Sequence, residues 1–178
     1  MNNRHHYKSW SSLNQQLTGL LCDSLRGRIR YFFTRYAESG GNHSRAAILL
    51  DEKELVQFSW DMECRQCMES AALYRETGSR YPDSDALLRP DWVRRGLLGD
   101  GDFMNAVSAF RDLSIANALI SDDYIVRIFA ILDRRCGKRT LERLIASREC
   151  DSWPDWAKQF AYIRFESEGL LPERRVLA

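Results

Sequence analysis

Residues 27–39 read GRIRYFFTRYAES, and along them the apolar side chains alternate. Ile29, Tyr31, Phe33 and Arg35 fall on one face of an extended chain, and Arg30, Phe32, Thr34 and Tyr36 on the other. A period of two with aromatic and β-branched content is the signature of a strand. Downstream, GGNHS (40–44) has loop composition, and RAAILL (45–50) and ELVQFSW (54–60) flank the tight turn DEK. The pattern predicts a three-stranded antiparallel meander over 28–37, 45–51 and 54–60.

Such a sheet must bury one face. Upstream, residues 9–26 carry Trp10, Leu13, Leu17, Leu20 and Leu21 at helical spacing, with Ser9 as N-cap and Gly27 as the stop. This first helix is the natural lid for the sheet. Beyond 60 the periodicity turns helical, so the expected class is α+β rather than alternating βαβ. The expected chain is one domain over 1–178: helix plus meander (9–60), an irregular excursion (78–101) and a helical array (102–170).

Within the array, residues 62–76 place Cys64, Cys67, Met68, Ala71 and Tyr74 on one side of a helix. The stretch 78–101, rich in glycine and proline and with little periodicity, reads as a long loop and the best candidate for a mobile or partner-contacting excursion. Asp102 is placed as a cap before Phe103, Ala106, Val107 and Phe110, and Ser114 before a short helix. Ser121 is placed as the cap for Ile125, Ile128, Phe129 and Leu132. Thr140 is expected to cap a helix bearing Leu141, Leu144 and Ile145, and Pro154 to open the last one, which Gly169 ends.

Composition narrows the functional classes. A formal charge of +1 argues against a general nucleic-acid or membrane surface, because phosphate binding is driven by counterion release onto a basic excess. No apolar run reaches the length of a membrane-spanning helix, and MNNRHHYKSW has no apolar leader core. These features predict a cytoplasmic protein with its five cysteines reduced and no membrane partner.

Motifs for chemistry are sparse. Cys64-Arg-Gln-Cys67 supplies two of the four ligands zinc needs, with no second CxxC or HxxxH, and no βαβ unit to support a thioredoxin-like role. Two small apolar residues on one helical face also fit core packing, and the core is the expectation. His5 and His6 lie in a terminal segment and His43 in the predicted loop. No nucleophile elbow, phosphate-binding glycine loop or metalloprotease motif is present, so no catalytic residue, metal site or cofactor is expected. Glu166 and Glu168 stand unfavourably at a helix end, where Arg164 can offset them. Five tryptophans are more than usual, and two flank a proline in SWPDW (152–156). Trp92, in the excursion, is expected at an interface, the alternative being that it pins that segment to the body.

The most basic stretch is ILDRRCGKRTL (131–141). Its expected geometry is a helix end at Asp133-Arg134-Arg135, Gly137 in the left-handed position after it, and a new helix at Thr140. The charges then follow helix-termination rules. The alternative is an anion or acidic-partner site formed by Arg134, Arg135, Lys138, Arg139 and Thr140.

ILDRRCGKRTL, the later IRFESEGL (163–170) and SWSSLNQQLTGLLCDSLRGRIRYFFTRY (9–36) together resemble an uncharacterised bacterial family of small proteins sharing LCxSLxGR and LDRRxGKRTL. The likeness covers about 1–60 and 113–170 and leaves 61–112 unmatched. It implies a glycine in the second hairpin, where this chain has Glu52, and it supplies no functional residue. The expected function is a non-enzymatic protein-interaction protein of accessory or immunity type. The alternatives are a nucleic-acid or phospholigand binder using 134–143, and an enzyme with a site between meander and helices.

Overall fold

The computed structural model describes residues 10–36, 43–78 and 81–171. The elements run α1 Trp10–Leu20, β1 Ile29–Tyr36, β2 His43–Leu50, β3 Lys53–Ser59, α2 Trp60–Thr77, α3 Tyr81–Arg95, α4 Asp100–Asp112, α5 Ile115–Leu119, α6 Tyr124–Leu132, α7 Lys138–Ser147 and α8 Asp155–Ser167. A short 3₁₀ turn at Glu149–Ser152 precedes α8. The expected α+β class is therefore what the chain adopts.

The sheet is antiparallel in the order β1-β2-β3, with Tyr31 opposite Ile48 and Ile48 opposite Val56. β2 begins at His43, two residues earlier than its apolar run, so His43 and Ser44 of GGNHS belong to the strand, and 40–42 lie outside the described residues. The alternation sets the faces at the start of β1, where Ile29 and Tyr31 are buried and Arg30 is exposed, but it fades along the strand: Phe33 is half-buried and Arg35, on the same face, is exposed. β2, the central strand, is buried on both faces at Ala46, Ala47 and Ile48. The β2–β3 hairpin turns on Asp51 and Glu52, with φ of 48° and 66°. Positive φ at both central residues is the primed turn that matches strand twist.

The lid over the sheet is shared. Trp10 of α1 packs on Phe33, with ring centroids 5.3 Å apart, but α4 covers the centre of the sheet. Phe103 stands 5.2 Å from Phe58 and 5.8 Å from Phe129, and Tyr31 is 5.6 Å from Phe129. This aromatic layer joins sheet, α4 and α6 in one core. α6, with Ile125, Val126, Ile128, Phe129, Ala130, Ile131 and Leu132 all buried, is the central helix, and α8 packs along it.

Several expected boundaries move. α1 stops at Leu20, not 26, because the chain then leaves the helix to pair with a distant strand-like segment. Cys22 N donates to Leu132 O at 2.9 Å and Arg134 N to Leu20 O at 2.8 Å. Gly27 has the left-handed φ of 84°, within the turn leading to β1. Ser9, the expected cap, lies outside the described residues. Asp102 is not the cap of α4: Gly99 is, and the Asp102 carboxylate accepts from Gly99 N at 2.8 Å. Ser121 yields its capping role to Asp123, which accepts from Ile125 N at 2.8 Å, while Ser121 accepts from Asp123 N at 3.2 Å.

The largest correction concerns 78–101, which is helical over Tyr81–Arg95 despite Pro90 inside it. Its polar sequence hid the helix because α3 is held to α2 by polar contacts. Glu69 accepts from Trp92 Nε1 at 2.7 Å and from Arg95 at 2.6 Å, and Ser70 bonds Asp85. Trp92 is accordingly buried and pins α3 to the body, so it is no exposed interface residue. The inward face of α2 is likewise polar, with Gln66 and Ser70 buried. Cys67 and Met68 face solvent and Cys64 is half-buried, which overturns the expected core role of the cysteine pair.

Candidate functional site

The stretch ILDRRCGKRTL is a corner built differently from its sequence reading. α6 ends at Leu132, and Gly137, with φ of −75°, is the extended N-cap of α7 rather than a left-handed C-terminal residue. Thr140 therefore sits inside the first turn of α7, and its N–H bonds Gly137 O at 2.9 Å. Asp133 is buried and takes Arg135 in a fork, with Nη2 to Oδ2 at 2.7 Å and Nε to both carboxylate oxygens at 3.1 Å. The Arg135 guanidinium also lies over Phe110, 5.8 Å from the ring centroid. A forked carboxylate neutralises a guanidinium and fixes its plane, so Arg135 is a structural cation. Arg134, Lys138 and Arg139 are exposed, and Arg134 shares a shallow recess with Arg26, Asn14 and Thr18. The five expected residues are thus adjacent along the chain, but Arg135, though half exposed, is held by the buried Asp133.

Behind this corner, Arg164 of α8 is buried. Its Nη1 donates to Ser24 Oγ at 3.2 Å and to Glu168, and its Nη2 to Cys136 O at 3.2 Å. Ser24 in turn donates to Glu168 at 2.7 Å. One guanidinium therefore joins α8, the 21–28 turn and the 133–137 turn, and it offsets Glu168 as the sequence suggested. Burial pushes the Cys136 thiol up to about 11 and the Cys150 thiol to about 12, so both stay protonated and unreactive at neutral pH.

A concave feature of the surface lies elsewhere, between α3, the start of α6 and the SWPDW segment. It is a half-open cleft of about 850 Å³, within the size range of small-molecule and peptide pockets. α3 supplies Arg89, Pro90 and Val93, and the opposite wall is Tyr124, Trp153 and Trp156. Tyr124 packs edge-on to both tryptophans, at 6.1 and 6.5 Å. Trp156 Nε1 donates to Val93 O at 2.7 Å and so ties the two walls together. Gly96 is required at their junction: its φ is 70°, and a Cβ there would stand 3.2 Å from the Trp156 ring.

Arg127 backs the aromatic wall, its guanidinium 5.1 Å from the Tyr124 centroid and 5.6 Å from that of Trp153. Charges sit at the rim and floor. Arg89 pairs with Asp102 at 2.7 Å, and Asp122 is exposed. Desolvation holds the Asp123 carboxyl above the usual carboxylate range, with Asp102 adding to the rise and the Ile125 N–H and Arg89 opposing it. A large pocket next to a perturbed carboxyl is the usual mark of a binding site. Among the described residues no three or more His, Cys, Asp or Glu side chains converge as a metal site. No helix among them is long and apolar enough to cross a membrane.

Sequence reasoning missed Arg89, Asp123 and Tyr124 as site residues, because the first lay in a segment read as loop and the other two at a helix start of which only the Ser121 cap was considered. SWPDW was the one legible signal, through its tryptophans.

The fold and cleft define an α+β protein with a cleft between helices set beside a small antiparallel meander. By sequence the chain belongs to the SF0329 protein family, whose profile matches residues 9–165. That match runs continuously through 61–112, the part where no likeness was expected. No curated protein and no solved structure matches the chain.

Proposed function

We propose that this chain is a non-enzymatic protein-interaction protein of accessory or immunity type, and that it seats a segment of its partner in the cleft between α3, α6 and α8. The observation that carries this reading is the cleft wall itself, where half-buried Tyr124 and Trp156 stand edge to face and buried Trp153 backs Tyr124. Aromatic anchors of this kind dominate binding energy at interfaces, because they bury much area at small entropic cost. The exposed carboxylate of Asp122 on the rim favours a partner segment with a basic residue. Five unpaired cysteines, two of them reaching the surface, fit a reducing compartment, and we place the protein in the cytoplasm.

The alternative, an anion or nucleic-acid binder at the basic corner, has less support. Arg135 is consumed by Asp133, and the remaining cations there are Arg134, Lys138, Arg139 and Arg143.

The test is affinity capture from the native host, followed by titration with the purified partner. Val93→Glu puts a charge on the cleft wall and should abolish binding with the circular dichroism spectrum unchanged. Binding that survives Val93→Glu, or a capture that yields no reproducible protein, would overturn the proposal. Affinity that falls steeply with salt and disappears in Arg134→Ala plus Lys138→Ala would establish the alternative.

A further inference from the structure

α2 is amphipathic in reverse. The face it turns inward is polar: Gln66 donates to Leu97 O at 2.8 Å, and Ser70 and Glu69 bind residues of α3. The face it turns outward carries Cys64, Cys67, Met68 and Ala71, residues spaced so that one helical stripe holds all four. Met68 is 70% exposed. A free cysteine is ordinarily among the most buried residues, and the other three of this chain, Cys22, Cys136 and Cys150, are buried in the core. Cys64 and Cys67 thus have no packing role that explains them.

Their spacing has a chemical meaning. Ligands at i and i+3 on one helix reach a single metal ion, and their Cβ atoms lie about 5–6 Å apart. Zinc–thiolate bonds of about 2.3 Å draw the two sulfurs within tetrahedral reach of one ion. Zinc needs four such ligands in a closed site, and among the described residues no further His, Cys, Asp or Glu joins this pair. A two-fold axis supplies what one chain lacks, since it presents the same stripe twice. Asp61, one turn before Cys64 on α2, adds a negative charge that suits a dication.

We propose that Cys64 and Cys67 of two copies of this chain hold one zinc ion in a tetrahedral four-thiolate site, and that the exposed stripe of α2 is the interface between the copies. Four thiols lose their protons as four zinc–sulfur bonds form, and no oxidation or reduction occurs. With the axis passing between Cys64 and Cys67, antiparallel α2 helices bring Trp60 of one copy opposite Ala71 of the other, a large residue against a small one. The interface is separate from the α3–α6–α8 cleft, so the proposal stands or falls independently of the one above.

The experiment uses the full chain, reduced and stripped of metal, then titrated with zinc while mass is followed by light scattering. The expected result is a monomer that becomes a dimer at one zinc per two chains. Cobalt in place of zinc should give the sulfur-to-metal charge-transfer band of a thiolate site. Cys64→Ser plus Cys67→Ser should remove both metal and dimer with the fold intact, since neither side chain is in the core. Met68→Asp should weaken the dimer while leaving the cysteines in place. A chain that binds no zinc, one that binds zinc as a monomer, or a dimer indifferent to zinc and to the double substitution would each overturn the proposal.

Discussion

Arg164 shows how one buried cation organises distant sequence. It is 3% exposed and reaches Ser24, Glu168 and the Cys136 carbonyl. Arg164→Ala removes all three contacts and leaves a void between the two turns. Taking one partner from a buried charge pair costs about 3 kcal/mol, and the midpoint of urea unfolding should fall accordingly; an unchanged midpoint would show the network to be ornamental. Glu63 makes a different residue-scale prediction. A hydrogen bond with Asp100 raises its pKa first, with desolvation and the charges of Asp100 and Asp102 adding to the rise. The folded state therefore holds this proton more tightly than the unfolded chain. The stability that results is fully present below the ordinary glutamate range and is lost as pH rises through the raised value. Glu63→Gln should flatten that part of the stability–pH curve, as thermal melts between acid and neutral pH would reveal.

At the scale of elements, the β2–β3 hairpin pays conformationally for its residues. Asp51 and Glu52 both hold positive φ, which costs an L-residue about 1 kcal/mol or more. Asp51 is secured by Arg28, whose Nη2 lies 2.7 Å from Oδ2, whereas Glu52 makes only an exposed pair with Arg30. Glu52→Gly should therefore stabilise the protein by about 1 kcal/mol, seen as a higher melting temperature; a lower one would mean that the Arg30 pair outweighs the strain. The α2–α3 pairing depends on Glu69 in the same local way. Glu69→Ala strands the Trp92 indole and should cost about 1.5 kcal/mol. Faster amide exchange confined to 81–95, with α6 unchanged, is the expected pattern, and a uniform increase would show α3 to be part of the global unit.

On the scale of the whole molecule, the two motifs of the family resemblance, LCDSLRGR and LDRRCGKRTL, meet in space. Backbone bonds between 20–22 and 132–134 and the Arg164 network hold them together. Cys22 and Cys136 sit at this junction and Cys150 near it, all buried, while Cys64 and Cys67 reach the surface. A thiol reagent added to the metal-free native protein should label the α2 pair at once and the other three only at the rate of global unfolding. Early labelling of Cys136 would place the junction outside the cooperative core.

How much of this could be read beforehand depends on what holds each element. The meander was legible because alternating side chains report a sheet with one face on the core, and α4, α6 and α8 were legible through their apolar stripes. α3 was not, because its helix is fastened by Trp92, Arg95 and Asp85 to polar groups of α2, and no apolar period marks such a face. The cleft was legible only through SWPDW, since its other wall comes from that same hidden helix.

The amino-acid order by itself determined the class, the three strands with their inward faces, and the helices that build the core, because burial of apolar surface follows local periodicity. Tertiary structure alone decided where α1 ends, which cation of the basic corner is spent on Asp133, that Trp92 is buried, and that the cysteine pair faces solvent. The α1 end and the burial of Trp92 depend on partners more than twenty residues away, and the outward cysteine pair on which face of α2 a neighbour claims. The Asp133–Arg135 pair is local, but it follows from the burial of Asp133 in the turn between α6 and α7, which no short-range pattern carries.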